Sequence, residues 1–234
     1  MTQPLRRPGK HENFKRLQAR IASCCRLLAR CYRSPRHGNK RNPLDELVYI
    51  TLSTRTAEPV YRGIYRSLKK TFPSWNEIAG RRVGEFHRIL APGGLSFLKA
   101  NQLLGIFSAL RHEFGRATLA PLRGMTDDDA ERLLTTLPGV GKKVAKCVLM
   151  YSLDRQVLPV DVHTHRVAVR LGLAAKRRPD TSQDLIEAQV PPPLRYGFHV
   201  NAIAHGRSVC LPRKPMCEVC VLRQYCPYPK KRKK

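Results

Sequence analysis

The fold is decided by the stretch Leu137-Pro138-Gly139-Val140-Gly141-Lys142-Lys143-Val144-Ala145. Pro138, Gly139 and Gly141 leave room only for a tight hairpin, because glycine adopts backbone angles that other residues resist and lets another backbone approach closely. A helix that begins directly after this hairpin has N–H groups pointing outward, which form a ready anion site. Lys142 and Lys143 at that point suit a DNA phosphate. The alternative interpretation is a glycine-rich turn between two core helices.

Helices are predicted on both sides of this hairpin. Upstream, residues 128–135 have the pattern of a short helix, for which Thr126 and Asp129 form a capping box. Downstream, apolar residues recur at helical spacing, at Val144, Ala145, Val148 and Leu149. The sequence therefore predicts a helix, a hairpin and a second helix.

The charge balance indicates a polyanionic partner. The 234 residues include 44 Lys or Arg against 17 Asp or Glu, for a formal net charge of +27. So large an excess favours nucleic acid, ahead of an anionic membrane surface. We expect no membrane span, because no apolar run is long enough, and no secretory signal. The eight cysteines are therefore interpreted as intracellular thiols or metal ligands rather than disulfides.

The rest of the chain predicts helices and almost no sheet, since no segment alternates between turn signals. A basic N-terminal segment contains a helix with Cys24, Cys25 and Cys31 on its apolar face. We expect these three to be buried small side chains, with metal ligation as the alternative. Asn42 and Pro43 begin an apolar helix. An extended segment is expected over 156–162, because Pro159 blocks a helix there.

A second cysteine group, near the C-terminus, is a strong metal signal. Its spacing is C-x6-C-x2-C-x5-C, formed by Cys210, Cys217, Cys220 and Cys226. Structural zinc usually takes two tight pairs, and only one is present here. Four-cysteine iron–sulfur clusters tolerate irregular spacing, although this is not the ferredoxin pattern. Arg213 and Lys214 lie inside the first loop, either as a phosphate clamp or simply to keep the loop in water.

Three signatures together resemble the endonuclease III family of DNA glycosylases, in the helix–hairpin–helix superfamily. They are the hairpin at 137–143, the sequence Val160-Asp161-Val162-His163 about twenty residues later, and the cysteine spacing. The resemblance covers residues 42–226. Any one signature alone could mislead, but all three in this order are highly specific.

This resemblance implies an all-α, two-domain protein with DNA bound across the cleft. One domain is a six-helix bundle at 42–152 that contains the hairpin. The other combines 1–41 with 153–234, and its four cysteines hold a [4Fe–4S] cluster. The basic tail at 230–234 is expected to be a disordered, phosphate-seeking segment or a nuclear signal.

The resemblance also assigns two catalytic residues. Lys143 matches the lysine that attacks the sugar C1′ in bifunctional members, and Asp161 matches the family's carboxylate. A lysine must lose its proton to act as a nucleophile, which a helix N-terminus and neighbouring cations favour. A carboxylate stabilises the positive charge that develops as the base leaves. A phosphate contact would also explain Lys143, and a helix N-cap would also explain Asp161; both roles can coexist.

The remaining site residues are expected to contact DNA. The DNA-binding set comprises Arg55, Leu95, Leu137, Gly139, Gly141, Lys142, His163, Arg213 and Lys214. Arg55 and Leu95 match the positions that fill the gap left by a flipped base. For Leu95 an ordinary loop-covering leucine is an equal alternative. The chain departs from the family at Val162, where threonine is usual, and at Arg55, where glutamine is usual, and this bears on substrate choice.

The sequence therefore predicts a bifunctional DNA glycosylase and abasic-site lyase, which removes damaged, oxidised pyrimidines and cleaves the strand by β-elimination. Arg55 motivates an alternative, a monofunctional uracil or thymine mismatch glycosylase. A non-catalytic DNA-binding module with a structural metal is a third. The expected partner is double-stranded DNA with damaged bases or abasic sites, bound by a monomer without any membrane. We expect the protein inside the cell with the DNA, in the nucleoid or cytoplasm of a bacterium.

Overall fold

A computed structural model describes residues 10–35, 38–78, 81–174 and 178–229 of the chain. Ten α-helices occupy these residues, and they contain no β-strand. The helices are α1 Lys10–Tyr32, α2 Pro43–Ser53, α3 Glu58–Thr71, α4 Val83–Leu90, α5 Ser96–Phe114, α6 Asp127–Thr136, α7 Lys142–Leu153, α8 Val162–Leu171, α9 Pro179–Gln189 and α10 Arg195–Ser208. The prediction of an all-α protein is confirmed. The predicted basic tail at 230–234 lies outside the described residues.

The chain divides into two compact units. The central unit is His37–Arg155, and the terminal unit joins Met1–Arg36 to Gln156–Lys234. The central unit contains α2 to α7, and the terminal unit contains α1 together with α8, α9 and α10.

Helix α2 forms the core of the central unit. Asn42 caps it, because its side-chain oxygen accepts bonds from the N–H groups of Leu44 and Asp45 at 2.9 and 3.1 Å. Pro43 then occupies the first turn, where its missing N–H costs nothing. Every residue from 46 to 52 is buried, and α2 packs against α3, α5 and α7. The predicted helix start at Asn42-Pro43 is therefore confirmed.

A buried acid on α2 holds the preceding segment in place. Glu46 accepts bonds from Asn39 Nδ2 at 2.6 Å and from the N–H of Lys40 at 2.5 Å. Burial raises the pKa of its carboxyl, and these two bonds oppose that rise. The Lys40 ammonium in turn lies 4.4 Å from the centre of the Tyr49 ring, a cation–π contact.

The terminal unit is built around α1, which packs against α10. Cys24 and Cys25 lie in its core, and burial raises the pKa of these thiols to about 11 and about 12. They behave as small apolar side chains, as predicted. Cys31 is exposed, so the prediction of burial is wrong for this residue. In the last turn of α1, Tyr32 makes the contact with α10: its ring packs edge-on against His205.

None of the helices in the described residues is long and apolar enough to cross a membrane.

Candidate functional site

The hairpin links α6 to α7 through five residues of the central unit. Thr126 caps α6, accepting the N–H of Asp129 at 3.1 Å and donating its hydroxyl to that carboxylate at 2.6 Å. The turn is closed by a bond from the N–H of Val140 to the carbonyl of Leu137 at 3.1 Å. The predicted helix–hairpin–helix is present, with α6 running from 127 to 136 rather than from 128 to 135.

The side chains of the hairpin divide into anchors and an exposed edge. Leu137 and Val140 are buried, whereas Gly139 and Gly141 are exposed. Gly139 has φ +68°, and a Cβ there would lie 2.7 Å from Nε2 of Gln102. The left-handed backbone angle therefore favours glycine at this position, and any larger residue would also displace the Gln102 side chain.

The first turn of α7 faces outward from this hairpin. Gly141 is the N-cap residue and has no side chain of its own to cap the helix. The first N–H groups of any α-helix lack carbonyl partners inside the helix. An anion of suitable size therefore finds both N–H donors and the positive end of the helix dipole at this point.

Three lysines follow on α7, and they differ in their surroundings. Lys142 is exposed, with its ammonium 4.0 Å from Glu131 of α6. Lys146 is buried and forms a tighter ion pair with the same carboxylate, at 2.8 Å. Lys143, between them, is half-buried. Burial raises the pKa of the Glu46 carboxyl. Lys143 lies close enough to Glu46 that its positive charge partly opposes this rise. Sequence reasoning missed Lys146, because only the structure shows its partner.

The two expected gap-filling residues lie on neighbouring loops of the central unit. Arg55 follows α2 and is exposed, and Leu95 precedes α5 with 43% of its surface exposed. Both adopt left-handed backbone angles, with φ +51° in each case. The hydroxyl of Thr56 donates to the carbonyl of Gly93 at 2.6 Å, so the structure brings the two loops together.

Asp161 begins α8 in the terminal unit. Its Oδ1 accepts the N–H groups of His163 at 3.1 Å and Thr164 at 2.7 Å, so it is the helix N-cap. The preceding residues 154–160 lie in no helix, as Pro159 predicts, although α8 already begins at Val162, inside the segment that was expected to be extended. Buried side chains of α9 hold these residues: Gln183 Oε1 accepts the N–H of Val160 at 2.9 Å, and Glu187 holds the N–H of Leu158. These α9 residues were not identified from the sequence.

His163, two residues after Asp161, is half-buried. Burial lowers the pKa of its imidazole, and the nearby charges of Arg166 and Arg207 lower it further against the opposing effect of Asp161. Its Nδ1 lies 3.0 Å from Nη2 of Arg166. Because a guanidinium can only donate hydrogen bonds, Nδ1 of His163 acts as the acceptor. Val162, which lies between Asp161 and His163, is exposed.

The four C-terminal cysteines line one small cavity of the terminal unit. Cys210, Cys217, Cys220 and Cys226 share its wall with Arg170 and Tyr228. Arg170 donates to Cys210 Sγ at 3.1 Å and to the carbonyl of Leu211 at 2.8 Å. Among the described residues, no group of three or more His, Cys, Asp or Glu side chains is arranged so that it could hold a metal ion. The donor set is nonetheless all thiol, and the adjacent guanidinium offsets the negative charge that four thiolates would carry, so the residues fit a sulfur-ligated group.

Two further features surround the cysteine cavity. His205 places Nε2 3.5 Å from Cys220 Sγ and Nδ1 2.9 Å from the hydroxyl of Tyr32. Burial lowers the pKa of this imidazole to about 4 and raises that of the Cys220 thiol to about 11. Arg213 and Lys214 are exposed on the loop between the first two cysteines.

The fold matches that of the helix–hairpin–helix DNA glycosylases. A trapped endonuclease III–DNA covalent intermediate, in an estranged-adenine complex, superposes with a TM-score of 0.77 at 22% identity, covering 93% of this chain and 99% of that one. A thermostable thymine-DNA glycosylase gives 0.75 at 21% identity, covering 91% and 98%. No protein-family model matches the chain.

Sequence comparison finds similarity to endonuclease III. The endonuclease III of Thermotoga maritima is 28% identical over 202 residues, which are 86% of this chain and 91% of that protein. A putative DNA glycosylase of Arabidopsis thaliana is 32% identical over 166 residues, 70% of this chain and 56% of that protein. The chain is a homologue of endonuclease III over most of its length, and the resemblance drawn from the three signatures is confirmed.

The hairpin geometry predicts opposite effects of the same substitution at two glycines. Gly139→Ala should lower the free energy of unfolding by about 1–2 kcal/mol, the cost of a left-handed angle at a non-glycine residue. Gly63→Ala, in the interior of α3 where a Cβ meets nothing within 4 Å, should raise it by about 0.5–1 kcal/mol. Urea unfolding of both variants measures the difference. A stabilising Gly139→Ala would contradict the left-handed turn.

Proposed function

We propose that the protein is a bifunctional DNA glycosylase and abasic-site lyase that removes oxidised pyrimidines from double-stranded DNA. The observation that carries the proposal is Lys143 in the outward-facing first turn of α7, directly after a glycine hairpin. A homologous endonuclease III forms a trapped covalent intermediate with DNA, which supports a nucleophilic residue in this chain. The four-cysteine cavity and Asp161 complete the set of features that support an endonuclease III mechanism.

The hairpin serves as the phosphate grip in this proposal. A DNA phosphate binds the N–H groups at the start of α7, with Gly139 and Gly141 allowing the sugar–phosphate backbone to approach closely. Leu137 anchors the turn, and Lys142 adds a positive charge. In the terminal unit, His163, Arg213 and Lys214 contact further phosphates.

Lys143 is the proposed nucleophile. Its neutral amine attacks C1′ of the flipped nucleotide, the bond between C1′ and the base breaks, and the base leaves with the bonding electrons and takes up a proton. Loss of the amine's proton and opening of the sugar give a Schiff base, from which the 3′ phosphate leaves by β-elimination. Lys142 and the helix dipole favour the neutral form of Lys143, because each adds positive potential. The nearby carboxylate of Glu46 has the opposite effect.

Asp161 is proposed to stabilise the positive charge that develops on the sugar as the base departs. Its Oδ1 accepts the N-cap bonds from the N–H groups of His163 and Thr164. These bonds fix the orientation of the carboxylate, which a catalytic group requires.

Arg55 is proposed to face the base that loses its partner. Its guanidinium can donate two hydrogen bonds to guanine, whereas the glutamine usual in the family both donates and accepts. Leu95 fills the remaining gap in the stack. We therefore propose a preference for guanine opposite the lesion. The same residue is the observation that favours the second candidate function, a monofunctional uracil or thymine mismatch glycosylase.

We also propose that Cys210, Cys217, Cys220 and Cys226 hold a [4Fe–4S] cluster, which supplies a cross-link that ties the C-terminal segment to the rest of its domain. Arg170 and His205 orient Cys210 and Cys220 through the contacts described above. The assignment of residues 42–152 to a bundle domain, and of 1–41 with 153–234 to a cluster domain, is part of this proposal. So are a monomeric state and a location with the cellular DNA.

The nucleophile can be tested by borohydride trapping on a duplex with one abasic site. Lys143→Ala should abolish the trapped complex while keeping most DNA affinity, because hairpin N–H groups rather than this side chain bind the phosphate. Lys142→Ala is the matched control and should still be trapped. A panel of duplexes that carry oxidised pyrimidines, uracil or mismatched thymine separates the two candidate functions. Base release without any trapped complex would favour the monofunctional enzyme.

Two substitutions at Asp161 separate capping from catalysis. Asp161→Asn keeps an N-cap side chain and should leave the melting temperature nearly unchanged, yet it should slow base release because the negative charge is gone. Asp161→Ala should in addition lower the free energy of unfolding by about 1 kcal/mol. Thermal melts and single-turnover base release measure the two effects. Full activity in Asp161→Asn would reduce the residue to a cap.

The cluster assignment predicts a composition. Protein purified without air should be brown, with about four irons and four acid-labile sulfides per chain, as one [4Fe–4S] cluster requires. Cys217→Ser should lower the yield of folded protein, whereas Cys31→Ser, at an exposed cysteine of α1, should not. One zinc and no sulfide in protein expressed with ample iron would reject the cluster.

A further inference from the structure

A lysine that sequence analysis did not single out lies between the two gap-filling loops. Lys99 is one turn into α5 and only 3% exposed. Burying an ammonium is costly unless its hydrogen bonds are satisfied, and desolvation lowers the pKa of this one. Its position near a helix N-terminus is also unfavourable for a positive charge. Helix stability therefore does not explain why a lysine stands here.

The contacts of Lys99 explain it better. Its ammonium donates to the carbonyl of Leu52 at 2.9 Å, to the hydroxyl oxygen of Thr56 at 2.6 Å and to the carbonyl of Gly93 at 3.3 Å. An ammonium has three N–H donors, and these acceptors account for all three. The first two bracket the loop that carries Arg55, and the third belongs to the loop that carries Leu95.

Both loops are held in a conformation that needs such support. Arg55 and Leu95 have left-handed backbone angles, which are costly for residues other than glycine and persist only where the surroundings impose them. Arg55 is followed directly by Thr56. The carbonyl of Leu95 accepts the backbone N–H of Lys99 itself at 2.9 Å. Arg55 is therefore next to one residue that the Lys99 ammonium binds, Thr56, and Leu95 lies two residues after another, Gly93.

We propose that Lys99 is a positioning residue, which fixes the loops of Arg55 and Leu95 relative to each other so that both side chains enter the DNA gap as one rigid pair. This inference rests on the proposed function, in which the two residues fill that gap. Loss of the ammonium leaves the nucleophile and the phosphate grip intact, so base flipping should suffer and the later lyase step should not.

The first test needs no DNA. In the free protein, Lys99→Met and Thr56→Val should both speed amide hydrogen exchange across residues 53–56 and 93–95, by at least about tenfold in each loop. Thr56→Ser keeps the hydroxyl and should behave like the wild type. Lys70→Met removes the same charge from an exposed site on α3 and is the matched control. Exchange that rises in one loop only, or in neither, overturns the coupling.

The second test compares two steps of the reaction. Base release from a lesion duplex should fall at least about tenfold in Lys99→Met and Thr56→Val, since misplacing a positioning group by about 1 Å can cost about 100-fold. Cleavage of a preformed abasic site should stay within about threefold of the wild type, with an unchanged salt dependence, because a buried ammonium contacts no phosphate. Thr56→Ser should restore base release. Should Lys99→Met fail to fold, the two Thr56 variants still decide the question.

The outcomes separate this inference from the function it rests on. A wild-type protein that releases no base from any lesion duplex overturns the proposed function, and the role in flipping with it. An active wild type whose Lys99→Met and Thr56→Val variants match Lys70→Met in base release overturns the inference alone. Equal loss of base release and abasic-site cleavage also overturns it, since that pattern indicates general damage to the fold.

Discussion

The burial of α7 beyond its first turn is the constraint on which the hairpin depends. From Ala145 to Met150 the helix is enclosed by its neighbours in the central unit, and Lys146 within this stretch is neutralised by Glu131. A helix fixed along its body can leave its first turn open without fraying. Its exposed N–H groups then cost little, because water satisfies them until an anion replaces it. The exposed glycine turn and the exposed Lys142 both depend on this anchoring.

Acidic side chains are scarce in this chain, and several of them face inward or bind backbone. Glu46 holds the segment before α2, and Glu187 and Asp161 accept backbone N–H groups around 158–164. Glu131 forms an ion pair with Lys146 and lies 4.0 Å from Lys142. Since the acids serve these internal contacts, much of the basic excess is left to the surface. A net charge of +27 favours attraction of polyanionic ligands.

The local features of the fold were predictable from the sequence, and the contacts between distant segments were not. Glycine and proline at 138–141 indicated the hairpin, Asn42 and Pro43 marked the start of α2, and the all-α class followed from the absence of alternation. Gln183 and Glu187, which bind backbone groups 23 and 29 residues away, leave no periodic signal. Lys99 looks like any helix lysine until Leu52, 47 residues earlier, is seen to accept its bond. The predicted burial of Cys31 was wrong because periodicity identifies the apolar face of a helix, but it does not show how far the neighbouring elements cover that face.

The terminal unit is assembled from both ends of the chain, and this has a consequence for the order of folding during synthesis. Helix α1 leaves the ribosome first, yet Tyr32 finds its partner His205 only 173 residues later. The central unit, by contrast, is one continuous segment and can fold as soon as it emerges. Throughout that interval the apolar face of α1, with two reduced thiols in it, has no core to enter. A nascent chain therefore exposes an apolar, oxidisable helix until α10 is made, so chaperone binding would be most valuable during that interval.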